Sequence, residues 1–131
     1  MERGSDVYTG IPTTWIGKIA LMYPSDYAYA TSGGSKEGRS ECLNKSVYNW
    51  ENSDNCVLNN YLYDNNHYQW TLTPRVNQNY YGIRITSNGN VRANYVCLTS
   101  QTVTPVLYLK SNLVISGGSG TLDNAYRLEI K

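Results

Sequence analysis

The sequence predicts an α+β domain, with two short helices early and mostly antiparallel strands in the second half. Three observations carry that expectation. Leu43, Val47 and Trp50 fall at i, i+4 and i+7, the spacing of one helix face. Asn88-Gly89 sits between two stretches of alternating apolar residues, a strong sign of a hairpin with a tight primed turn. Short apolar runs bounded by Pro, Gly and Asn then follow to the end of the chain.

Taken in order, Trp15 to Tyr23 reads as a buried strand that ends at Pro24. Pro24-Ser25-Asp26 supplies a helix start with Ser25 or Asp26 as the cap, and Ser32-Gly33-Gly34-Ser35 breaks that helix after Thr31. The second helix lies within 40–50; its Asn and Ser content makes it depend on packing of the Leu43, Val47 and Trp50 face. Val57-Leu58 and Tyr61-Leu62 suit a short helical turn. Tyr68 to Thr73 is a strand stopped by Pro74. The hairpin from Tyr80 to Leu98 pivots on Ser87-Asn88-Gly89-Asn90. It places Ile83, Ile85, Val91, Ala93 and Tyr95 on one face, and Tyr80, Arg84, Thr86, Asn90, Arg92 and Asn94 on the other. Val106 to Lys110 is a nearly continuous strand after Pro105. A last hairpin joins Leu113–Ile115 to Tyr126–Ile130 around 116–120.

A chain of 131 residues is long enough for a single core. Eleven basic and ten acidic residues leave a formal charge of +1, and no run of like charges occurs. Nucleic acid and anionic membrane surfaces are therefore not expected partners. Direct membrane insertion is not expected either, since no apolar stretch approaches the roughly 20 residues of a span. Met1 to Asp6 is short and polar and lacks the pattern of a signal peptide. Residues 1–10 are expected to be a boundary or linker segment ahead of one domain, 11–131, with any export or anchor segment lying outside this sequence.

The chain has 13 Tyr, 3 Trp and no Phe, and Asn recurs in pairs such as Asn59-Asn60 and Asn65-Asn66. Tyr carries a hydroxyl that seeks water, a partner or a ligand, so rings placed at the boundary of the core are expected. Tyr, Asn, Ser and Gly dominate binding loops, and they equally furnish turns and strand faces in a stable secreted protein.

Cys42 and Cys56 bracket a short polar segment, and a disulfide between them would imply an oxidising compartment. Metal ligation is the competing use of these thiols, but the chain has no CxxC pair and one histidine, His67. Cys97 continues the alternation of Val91, Ala93 and Tyr95 and is expected to be a buried, inert thiol. Catalysis by a Ser-His-Asp or Cys-His arrangement would have to use His67, which has no nucleophile motif beside it. Asp64-Asn65-Asn66 offers a few oxygens, short of the six to eight calcium takes. No glycine loop has the phosphate-cradling pattern. No catalytic residue, metal ligand or cofactor is expected.

Three phrases together carry a resemblance: Trp15-Ile16-Gly17-Lys18-Ile19-Ala20-Leu21-Met22-Tyr23-Pro24-Ser25-Asp26-Tyr27, then Tyr68-Gln69-Trp70-Thr71-Leu72-Thr73-Pro74, then Thr104-Pro105-Val106-Leu107-Tyr108-Leu109-Lys110-Ser111. In that order they resemble a group of bacterial surface domains often carried behind prepilin-like leaders. That group is similar to C-type-lectin-fold modules, among them the targets of diversity-generating retroelements. The resemblance spans Trp15 to Leu128. It implies a compact C-type-lectin-like domain whose termini meet in one sheet, with a long irregular region presenting a ligand surface. Related domains commonly place Arg-Pro where Thr104-Pro105 stands here. In retroelement targets the diversified positions match Tyr80 to Thr102 by position.

The expected function is extracellular or cell-surface binding of a protein or glycan, without bond chemistry. The candidate ligand-binding residues are Tyr80, Tyr81, Arg84, Asn88, Asn90, Arg92, Asn94, Thr99 and Gln101. Tyr and Arg are the residue types that dominate binding hot spots. Tyr80, Arg84, Arg92 and Asn94 are expected to share one face, with Tyr81, Asn88 and Asn90 near the hairpin tip. The alternative is a structural role, as the globular head of a pilin-like surface subunit. The sequence does not indicate an oligomeric state.

Overall fold

The computed structural model describes residues 16–52, 54–75, 78, 80–97, 101–121 and 123–131. Trp15, the expected segment 1–10 and the candidate Thr99 lie outside the described residues. The fold is α+β, with strands paired antiparallel in three small sheets. No helix among the described residues is long and apolar enough to cross a membrane.

The first strand, β1, is Ala20–Leu21 alone and pairs with β5, Pro105–Val106. It is far shorter than the buried strand expected over Trp15 to Tyr23, and Ile16 and Ile19 are exposed. The partner explains the shortening. Leu21 faces Pro105, which has no N–H for the ladder, and the apolar run after Val106 does not continue as strand. Leu107, Tyr108 and Leu109 are exposed.

Helix α1 is Pro24–Tyr29, with Pro24 at a first-turn position where its missing N–H is no loss. Neither Ser25 nor Asp26 is the cap. Tyr23 holds that position, and the Asp26 carboxylate reaches back to accept its N–H at 2.7 Å. Helix α2 is Lys36–Asn44, started by Ser35, whose hydroxyl accepts the Gly38 N–H at 3.0 Å. Here the structure corrects the expected helix over 40–50. Lys45 turns the backbone extended, and a separate 3₁₀ turn covers Val47–Asn49. Trp50 is still fully buried and Val47 packs against the core, while Leu43 on α2 is half-buried. With α3, Asn55–Leu58, the described residues hold three α-helices rather than two.

A disulfide joins Cys42 of α2 to Cys56 of α3, as the polar loop between them suggested. Around it lies the core of Met22, Tyr27, Cys42, Trp50, Cys56, Val57, Ile85 and Val91. Buried polar side chains are tied in. The Thr31 hydroxyl donates to the Cys56 carbonyl at 2.7 Å, and the Asn60 amide donates to the Tyr27 carbonyl at 2.7 Å. Asn60 is thus a core brace, not loop decoration.

The central sheet is β2, Gln69–Pro74, then β3, Tyr81–Ile85, then β4, Val91–Tyr95, in that order. Ile85 faces Val91, Ile83 faces Ala93 and Tyr81 faces Tyr95; Arg84 faces Arg92 and Gly82 faces Asn94 on the other side. The β2–β3 register shifts between Trp70 and Pro74. At that irregularity Leu72 N–H donates to the Met22 carbonyl, which links the sheet to the end of β1. On its free edge β2 pairs with the late loop, because Trp70 N–H donates to Thr102 O and Thr102 N–H to Tyr68 O.

The chain ends in a hairpin of β6, Leu113–Gly117, and β7, Arg127–Ile130. Its turn region is longer than the 116–120 expected. Among the described residues β7 pairs with β6 in a sheet separate from that of β1 and β5. Cys97 is exposed, contrary to the buried thiol expected: β4 stops at Tyr95, and the alternation that would have turned Cys97 inward stops with it.

Candidate functional site

The hairpin turn differs from the two-residue primed turn expected. Gly89 N–H donates to Thr86 O and Thr86 N–H to Asn90 O, so the loop is Ser87-Asn88-Gly89, with Gly89 at φ +80. A three-residue loop closing on a left-handed residue is the common form of this kind. The tip does not stand free. The Tyr27 hydroxyl donates to Gly89 O at 2.8 Å and the Tyr63 hydroxyl to Ser87 O at 2.8 Å. A Cβ on Gly89 would come within 2.3 Å of a Val57 methyl. Asn88 is exposed there, and the Asn90 side chain accepts from the Thr86 hydroxyl at 2.6 Å.

Tyr81 is at the opposite end from the tip, which corrects its expected place. Strand pairing brings it against Tyr95 with ring centroids 4.1 Å apart. Tyr80 precedes β3 and leaves the Arg84 face, where alternation had put it. Its ring stacks on Tyr95 at 5.5 Å with planes 9° apart, and lies 5.3 Å from Tyr81. Tyr80 is 49% exposed and Tyr95 37%. The Arg75 guanidinium lies 5.2 Å from the Tyr81 ring centroid, and Arg75 N–H donates to Tyr81 O. The hydrogen bond with Tyr95, then desolvation, raises the Tyr81 phenol above its ordinary range. At neutral pH the Tyr81 phenol is therefore uncharged, with one guanidinium at its side.

On the sheet face that carries Arg84 and Arg92, two like charges stand directly opposite each other, an arrangement that costs stability unless relieved. The side chains part. Arg84 lies 4.3 Å from the Tyr68 ring centroid and donates to the Gln101 side chain at 3.3 Å. Arg92 lies 3.6 Å from the Tyr48 ring centroid and donates to the Tyr48 and Val91 carbonyls. Both guanidiniums are thus held by the protein itself. Trp70 shares the Arg84 side and packs where Gly82 has no side chain; a Cβ there would meet the indole at 3.0 Å.

Of the candidate residues, Arg84, Arg92 and Asn94 share a face as expected, and Gln101 joins them through Arg84. Tyr80 and Tyr81 belong instead to the tyrosine cluster, and Asn88 and Asn90 to the docked tip. Sequence reasoning missed Tyr95, Tyr68, Tyr48 and Arg75 as site residues. Counting outward from the three-residue loop pairs 81 with 95, whereas a two-residue turn on Asn88-Gly89 would pair 81 with 96, so the expected turn hid Tyr95. Tyr48 and Tyr68 come from distant elements and had no local signal.

The remaining chemistry-bearing residues are engaged in turns. Asp64 accepts the Asn66 N–H at 2.8 Å and lies 2.7 Å from the His67 ring, which lowers its carboxyl below the usual range. The Thr104 hydroxyl accepts from the buried Gln69 amide at 2.9 Å. No group of three or more His, Cys, Asp or Glu able to hold a metal occurs among the described residues. Comparison of the chain with protein-family models, with curated proteins and with solved structures gives no match.

Proposed function

We propose that this domain binds a protein or glycan ligand outside the cell or at its surface, by surface complementarity and without bond chemistry. The observation that carries the reading is the cluster of Tyr80, Tyr81 and Tyr95. Three rings in mutual contact, two of them substantially exposed, offer rigid amphipathic area that loses little entropy on binding. Such faces suit the apolar side of a sugar ring or a peptide's aliphatic and aromatic groups. Arg75 and Asn94 add polar contacts near the same end of the hairpin. The disulfide supports an oxidising location. Diversification across 80–102 fits the same reading, because substitutions at exposed Tyr80 and Tyr95 would leave the buried pairs of β3 and β4 untouched.

The test is a glycan and surface-protein array probed with the wild type and a Tyr80→Ala/Tyr95→Ala variant. The variant should lose capture of any wild-type hit while keeping its melting transition within a few degrees. Undiminished capture by the folded variant would sink the assignment. Arg92 is not a clean probe, since truncating it also uncovers Tyr48.

A second reading, the structural head of a pilin-like subunit, is favoured by the last hairpin. Leu113, Ile115, Leu128 and Ile130 share one face there, and the last three of these are exposed. Self-association of the pure domain that Ile115→Lys abolishes would favour this role; a monomer at high concentration would count against it.

A further inference from the structure

Beyond the tyrosine cluster, a shallow cleft of about 340 Å³ opens between α1 and the segment after β5. Leu62, Val106, Leu107 and Ala30 give it apolar lining, and Tyr29 and Tyr108 form its aromatic walls. One ionisable carboxylate, Asp26, lies among them. Its oxygens accept the Tyr23 N–H and the Tyr108 hydroxyl, at 2.7 and 2.6 Å. A carboxylate takes roughly four donors, so these two leave acceptor capacity. Among the described residues no Lys, Arg or His stands within ion-pair distance of Asp26.

We propose that this cleft receives a lysine side chain from a partner polypeptide. The ammonium meets Asp26, and its methylene stem lies along Leu62, Val106 and Leu107. Three features select that occupant. An unpaired carboxylate beside apolar surface matches a cation on an aliphatic stem and rejects an anion. Tyrosine faces add attraction for a cation, and Tyr29 already carries the Arg39 guanidinium at 6.0 Å on its own ring. The walls are open, with Tyr29 65% and Tyr108 77% exposed, whereas small-molecule sites enclose most of their ligand. A cleft of this volume and openness suits one side chain offered from another protein's surface. It is independent of the tyrosine-cluster reading.

The test is amide chemical-shift titration with N-acetyl-lysine methylamide and with its norleucine counterpart, which keeps the stem and lacks the ammonium. Saturable shifts from the lysine compound are expected at Asp26, Ala30, Leu62 and 106–108, with norleucine weaker by about tenfold or more. Asp26→Asn should raise the lysine Kd about tenfold while its amide oxygen still accepts the Tyr23 N–H, preserving the helix start. Equal affinity for both compounds, shifts centred elsewhere, or no saturable shift in the wild type would overturn the proposal whatever the variant does.

Discussion

At its turn, the β3–β4 hairpin offers two carbonyl oxygens to tyrosine hydroxyls from α1 and from the loop after α3; at its open end, three tyrosines touch chiefly one another and solvent. Both ends are made of the Tyr, Asn and Ser that composition alone reads as binding-loop material. The difference lies in what stands behind them. Behind the tip is α3, fixed by the disulfide, and its Val57 leaves room only for a glycine. Nothing comparable covers Tyr80 and Tyr95 among the described residues, and both rings keep exposed area. The same residue types therefore brace the fold at one end and present surface at the other. Burial decides which, and composition cannot.

The sharpest way to break that contrast is Gly89→Ala. The added Cβ sits 2.3 Å from Val57 in a backbone conformation disfavoured for a side chain. Strain and overpacking together should cost about 4 kcal/mol, read by urea unfolding. A loss under about 1 kcal/mol would show that the tip is not seated on α3. Next comes removal of the staple. Cys42→Ala with Cys56→Ala should cost about 3 kcal/mol. Amide exchange should quicken at Val57 and Gly89 more than at Tyr95, because α3 backs only the tip. Uniform acceleration along the hairpin would contradict the division into two ends.

The elements that local chemistry settles were readable in advance. The hairpin needed only Asn88-Gly89 and the flanking alternation, which put Ile83, Ile85, Val91 and Ala93 on one face and Arg84 and Arg92 on the other; the three-residue loop that sets the register was not read from them. The disulfide followed from two cysteines around one polar loop. What failed depended on partners far along the chain. The strand expected from Trp15 to Tyr23 shrank because its partner begins with Pro105. Trp50 is buried and Val47 packs against the core, yet Lys45 breaks the helix that their spacing with Leu43 implied. For the site, alternation alone assigned Tyr80 to the Arg84 face. Stacking on Tyr95 overrides it, because Tyr80 lies just outside the strand where alternation has no force. The docking of the tip was invisible for the same reason: Tyr27 is 62 positions from Gly89.

The smallest of these effects carries a pH signature. Tyr27→Phe removes the hydroxyl that satisfies Gly89 O and leaves a buried carbonyl without that donor, at a cost of about 1–2 kcal/mol near neutrality. Burial first, and the neighbouring Tyr63 phenol second, raise the Tyr27 phenol far above its ordinary value. The native state thus keeps its proton where the unfolded chain, with an ordinary phenol near about 10, releases it. Above that pH the unfolded state binds fewer protons than the native state, so stability falls as pH rises toward the folded value. Below it the contribution is fully present. Wild type should therefore lose stability between about pH 9 and 11 more steeply than Tyr27→Phe, which lacks the proton. The two stability curves should converge as pH rises. Parallel curves would mean that Tyr27 is reachable by water, and with it the tip, leaving the two ends of the hairpin alike.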